Sequence, residues 1–138
     1  SLPAAATERV SRAQVDNRGE VNTQPLFRFT NLGSGRTEGE QASILLQNET
    51  TGQHFQLDYD MQQGETVTVD IKKHTVESNM PAADNNQGNL ICYISDDSYF
   101  SDFWLIPGAN LIAYGQTGGQ KNITAVCEHE NRYLEAIL

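Results

Sequence analysis

Asp58 and Asp60 stand two residues apart in His54-Phe55-Gln56-Leu57-Asp58-Tyr59-Asp60, a segment that alternates polar and apolar side chains. On an extended strand that spacing puts both carboxylates on one face. Carboxyl groups about 5 to 9.5 Å apart are what acid/base cleavage of a glycosidic bond requires. Acid pairs of this kind are also routine on solvent faces, and neither aspartate has a distinct partner in the sequence. The pair therefore reads as surface rather than catalytic. His54, His74 and His129 are scattered among polar neighbours with no metal-ligand spacing, and they too read as surface residues. In the loop Asp84-Asn85-Asn86-Gln87-Gly88-Asn89 the glycine falls one place early for a calcium loop. Ser95 stands where the closing glutamate would be, so this is a polar loop. No G-x-S-x-G elbow occurs, and no glycine-rich segment opens a helix to cradle a phosphate. The sequons Asn48-Glu49-Thr50 and Asn122-Ile123-Thr124 carry meaning only in a eukaryotic secretory setting and are taken as chance. No catalytic set, metal or cofactor is expected, and the chain reads as a non-enzyme.

The aromatic residues offer one binding alternative. Tyr99, Phe100, Phe103 and Trp104 form a dense patch, and alternation sends one of Phe103 and Trp104 into the core. Tyr99 follows Asp96-Asp97-Ser98, a sequence suited to a loop tip. A carbohydrate-binding module would stack a sugar ring on Tyr99 or Trp104, with Asp58 or Asp60 as polar contacts.

Charge narrows the partners. Nine basic against eighteen acidic residues leave a net charge of -9 over 138 residues, so a phosphate backbone would be repelled and nucleic acid is not expected. No apolar run approaches the ~18 residues that span a bilayer. No signal-peptide pattern stands at the start of the sequence. Cys92 and Cys127 lie in separate apolar segments. They either staple two strands or remain free thiols, and a chain with so few cysteines favours two buried thiols.

The elements that would position these residues are short strands. Residues 1–7 read as a linker or arm, and 8–138 as one domain. Strands are expected over Glu8–Val15, Pro25–Thr30, Ala42–Gln47, His54–Asp60, Thr66–Ile71, His74–Glu77, Leu90–Ile94 and Asn122–Glu130. The best hairpin joins Ala42–Gln47 to His54–Asp60 across Asn48-Glu49-Thr50-Thr51-Gly52. Lys72-Lys73 fits the positive φ of a type I′ turn poorly, so a longer reversal is expected there. Phe103-Trp104-Leu105-Ile106-Pro107-Gly108-Ala109-Asn110-Leu111-Ile112-Ala113-Tyr114 reads as two buried strands around a Pro-Gly turn. Tyr133–Leu138 reads as a last short strand or a helical turn. Turn signals every 8 to 12 residues and the lack of any helical period give an all-β antiparallel sandwich or barrel.

Several phrases in register carry a resemblance. Asn17-Arg18-Gly19 precedes Thr23-Gln24-Pro25, and Leu46-Gln47-Asn48-Glu49-Thr50-Thr51-Gly52 follows. Then come Gly64-Glu65 with Val67-Thr68-Val69-Asp70, and last Phe103 to Ile112. Across Val15 to Leu134 this order resembles the C-terminal domain of siphovirus distal tail proteins, the hub of the phage baseplate. The resemblance implies a galectin-like or jelly-roll β-sandwich hung outside a ring that a separate N-terminal domain builds. These 138 residues hold no counterpart of that ring domain. The resemblance also implies a structural module of the virion tail, assembled in the bacterial host cytoplasm. Its implied partners are other tail and baseplate proteins, receptor-binding proteins and, in some members, host-surface saccharides.

Overall fold

The computed structural model describes residues 9–33, 43–80, 88–95, 100, 102–117 and 122–130. Among these, eight strands form two antiparallel four-stranded sheets, in the orders β1-β7-β3-β4 and β6-β5-β2-β8. The strands are β1 (Arg9–Asn17), β2 (Leu26–Asn31), β3 (Ser43–Asn48), β4 (Gln53–Leu57), β5 (Thr66–Asp70), β6 (Thr75–Ser78), β7 (Gly108–Thr117) and β8 (Ile123–Glu128). The architecture is the expected all-β sandwich.

Period-two alternation decides which side of each sheet faces the other. Phe27 and Phe29 of β2 and Val67 and Val69 of β5 point inward from one sheet. Ile44 and Leu46 of β3 and Phe55 and Leu57 of β4 point inward from the other, and all eight are buried. Phe27 and Phe55 meet with ring centroids 5.8 Å apart, and Phe103 closes the triangle at 5.6 Å from each. Such tilted and edge contacts add about 0.5 to 1.5 kcal/mol per pair beyond burial.

The best hairpin forms as read. β3 and β4 pair from Ile44↔Leu57 to Asn48↔Gln53, which leaves Glu49–Gly52 as a four-residue loop. The β5–β6 reversal is also four residues, Ile71 to His74, between Asp70 and Thr75. Asp70 Oδ1 accepts from the Lys73 amide at 3.0 Å, and His74 takes the left-handed position at φ 61°. The lysines thus avoid positive φ, as expected.

Three expected strands differ, each for the same reason: backbone groups find partners outside a ladder. Over Leu90–Ile94 the chain forms a 3-10 turn, Ile91–Tyr93, in which the Tyr93 amide donates to Leu90 and that of Ile94 to Ile91. Cys92 is exposed as a result, and both cysteines are free thiols. β4 stops at Leu57, because the Asp58 amide donates to the Tyr93 carbonyl instead of a strand. Asp58 and Asp60 therefore lie beyond the strand on which they were expected. The arm Phe103–Ile106 contributes only one isolated bridge, Leu105↔Thr23, so the Pro-Gly turn does not close a hairpin. Beyond it β7 runs to Thr117 and pairs with β1 and β3. Residues 1–8 and Tyr133–Leu138 lie outside the described residues.

Gly88 is a close-approach position. Its φ is +90°, its carbonyl accepts from the Ser78 amide at 2.7 Å, and a Cβ on it would sit 2.8 Å from the Ser78 carbonyl oxygen. Gly88→Ala must strain this backbone or push it off β6, at a cost of about 1 to 3 kcal/mol. Urea unfolding should show a lowered midpoint, and an unchanged midpoint would contradict the close approach.

Candidate functional site

Three of the polar side chains this chain buries, Asn17, Asn48 and Asn110, converge on one segment, Phe103 to Pro107. Its peptide groups have no sheet neighbour beyond the single bridge, in which Thr23 and Leu105 exchange amide and carbonyl at 3.0 and 2.8 Å. Side chains supply the rest. Trp104 N donates to Gln53 Oε1 at 3.1 Å, and the Trp104 carbonyl accepts from Asn48 Nδ2 at 2.9 Å. Ile106 N donates to Asn110 Oδ1 at 3.0 Å, and the Ile106 carbonyl accepts from Asn110 Nδ2 at 2.9 Å. Asn17 Nδ2 donates to the carbonyls of Leu105 and Val21, each at 3.0 Å. Asn48 Nδ2 also donates to Asn110 Oδ1 at 3.1 Å, so the two amides lock each other. Asn17, Asn48 and Asn110 are all buried.

A second polar cluster braces the β4–β5 connection. Glu65 is fully buried, yet its carboxylate accepts from Tyr59 Oη at 2.7 Å, from the Gln62 amide at 2.8 Å and from Ser78 Oγ. Burial, then the hydrogen bond to Glu65, hold the Tyr59 phenol well above the ordinary tyrosine range, so Tyr59 stays a neutral donor. Asn31 completes the frame. Its Nδ2 donates to the Met61 carbonyl at 3.1 Å, and its Oδ1 accepts from the amides of Gly33 and Asn122.

The residues singled out for chemistry are dispersed. Phe103 is the inward member of its pair and Trp104 is half-buried. Trp104 is tied to Gln53 at the start of β4, whereas Asp58 follows the end of that strand. Five steps of about 3.4 Å separate Gln53 from Asp58, about 17 Å along the strand. Asp58 accepts from Gln56 Nε2 at 2.7 Å, and the neighbouring Tyr59 ring packs 5.1 Å from that of Tyr93. Tyr99 and the loop residues 84–87 lie outside the described residues. His74 rests edge-on against Phe100 at 4.7 Å, a packing contact. Among the described residues no group of three His, Cys, Asp or Glu could hold a metal ion, and no helix is long and apolar enough to cross a membrane. Burial, then the charge of Glu128, pushes the Cys127 thiol up to about 12, which keeps it a poor nucleophile.

Sequence reasoning missed Asn17, Asn31, Asn48, Asn110 and Glu65. Asn48 read as a turn residue and a chance sequon, and its burial leaves no room for a glycan. A signal was present: Asn31 continues the inward phase of Phe27 and Phe29, and Asn48 continues that of Ile44 and Leu46. An asparagine at the last inward position of a strand is placed to bond a crossing loop.

Such a domain belongs to the class of antiparallel sandwiches whose buried polar groups hold connecting segments in place. The chain belongs to the family described as siphovirus-type tail component, C-terminal domain, whose model matches residues 18–133. It is thus a phage tail component, as the resemblance implied. Among solved structures it is similar to the Dit protein (gp 19.1) of phage SPP1, described as a paradigm of the hub adsorption apparatus in Gram-positive-infecting phages. The two share 15% identity at a TM-score of 0.53 over 89% of this chain, a likeness of fold. The chain spans about half of that protein, covering 47% of it. No curated protein matches it.

Glu65→Ala would leave the Tyr59 hydroxyl, the Ser78 hydroxyl and the Gln62 amide without their shared acceptor. The expected loss is about 2 to 4 kcal/mol, well above the ~1 kcal/mol of an average substitution. Equilibrium urea unfolding checks this, and a change below about 0.5 kcal/mol, the scale of a surface substitution, would contradict a bracing role.

Proposed function

We propose that this domain is a non-enzymatic adaptor at the tail tip, and that it docks neighbouring baseplate or receptor-binding proteins after assembly in the host cytoplasm. The observation that carries the reading is the use made of the buried polar groups. Asn17, Asn48, Asn110 and Glu65 all bond backbone of connecting segments, which stiffens the segments around Val21, Gln62 and Trp104–Ile106. Stiff loops suit presentation to a partner, because little ordering entropy remains to be lost on docking. Membership of the tail-component family supports the same setting. The net charge of -9 favours partners with basic faces and predicts docking that weakens with salt.

The saccharide alternative finds less support, since Trp104 and Asp58 sit at opposite ends of β4 and form no single platform.

Antibody raised against the domain should label the distal end of the tail in electron micrographs of virions. Labelling confined to heads, or none on intact particles that carry the protein, would contradict the assignment.

A further inference from the structure

β1 and β8 are edge strands, one from each sheet, and between them opens a slot of about 240 Å³. Ala13 and Ala125 line it, each paired with a buried residue, Ile112 and Phe29, yet both are exposed. The two far edges each carry a bridge, Leu57 of β4 to Ile94 and Glu77 of β6 to Asn89. Among the described residues β8 pairs with β2 alone. Hydrogen-bond phase decides what its other edge offers. Just past Asn31↔Ile123 the Leu32 amide donates to the Asn122 carbonyl at 2.8 Å, so these two form a hydrogen-bonded pair. Such pairs alternate along an antiparallel ladder. Thr124, Val126 and Glu128 therefore turn their amides and carbonyls to β2, and Ile123, Ala125 and Cys127 turn theirs to the free edge. On the solvent face of β8, Val126 is 52% exposed. An open edge bearing an exposed β-branched residue is a template for another strand.

We propose that the free edge of β8 pairs antiparallel with β8 of a second copy of this chain, about a twofold axis at Val126. Self-pairing must oppose Ile123, Ala125 and Cys127 with one another, which leaves three registers of near-complete overlap. An axis at Cys127 sets Val126 against Glu128, and an axis at Ala125 sets it against Thr124. With the axis at Val126 the two exposed valines meet as a non-hydrogen-bonded pair, the kind with the closer side chains. Ala125 then lies opposite Cys127 on the slot side, and Thr124 opposite Glu128 on the solvent side. No carboxylate of β8 faces another, and Glu128 keeps its ion pair with Arg28. The second β8 also widens the sheet beside the slot, over the exposed Ala13. Such a contact is isologous and closes at two copies.

Each copy carries a net charge of -9, so salt should screen their repulsion and strengthen the dimer. Sedimentation equilibrium of the full chain should show monomer and dimer, with more dimer at physiological than at low ionic strength. Val126→Glu, which sets two carboxylates on the axis, should sediment as a monomer. A monomeric parent, which would leave the edge to a different protein, or an unmoved dimer in Val126→Glu would overturn the proposal. The register has its own readout in full chains that also carry Cys92→Ser and Cys127→Ser. Under oxidised glutathione, whose disulfide is reduced to two thiols, Val126→Cys should give a disulfide-linked dimer, since the paired Cα atoms stand about 4.5 Å apart. Thr124→Cys, about 14 Å from its twin, should give none. No bond at position 126, or equal bonding at both positions, would overturn the axis.

Discussion

The Phe103–Pro107 segment crosses the end of the sandwich without joining either sheet's ladder, and the fold depends on how its peptide groups are bonded. A buried peptide group left without a partner costs about 1 to 3 kcal/mol, so a crossing of this kind stands only where side chains replace the ladder. Asn17, Gln53, Asn48 and Asn110 do so, each from the end of a different strand. Asparagine suits the task, since its amide offers both acceptor and donor: Asn110 takes the Ile106 amide on Oδ1 and gives Nδ2 to the Ile106 carbonyl. With the backbone bonded, Phe103 can enter between the sheets and complete the ring triangle with Phe27 and Phe55. Polar bracing and apolar packing here are two halves of one feature.

Much of this architecture was legible in the sequence. Alternation in Phe27-Arg28-Phe29, Phe55-Gln56-Leu57 and Val67-Thr68-Val69 needs only a period of two to be read, and all three segments pack as read. The Phe103–Tyr114 stretch was legible in its pattern but not its pairing. It alternates like a strand, with Phe103 and Leu105 inward, but its hydrogen bonds go mostly to side chains rather than to a neighbouring strand. Leu90–Ile94 failed for another reason. A short apolar run carries no period long enough to separate a strand from a tight turn. The asparagine frame was opaque because its members bond carbonyls and amides up to 95 residues away, which only the fold brings together.

The same physics shapes the functional reading. Buried Asn17, Asn31, Asn48, Asn110 and Glu65 hold connections, while Asp58 and Asp60 both follow the end of β4 and Trp104 is tied to its start. What the described fold offers is connecting segments held by buried side chains and a net charge of -9.

The central claim is that Asn48 and Asn110 act as one unit in seating the crossing segment, and a double-mutant cycle tests it most directly. Stabilities of the parent, Asn48→Ala, Asn110→Ala and the double variant would be measured by urea unfolding. Groups sharing one hydrogen-bond network couple by about 0.5 to 3 kcal/mol, and a coupling above about 1 kcal/mol is predicted here. Additive losses within about 0.3 kcal/mol, the behaviour of independent sites, would contradict the account.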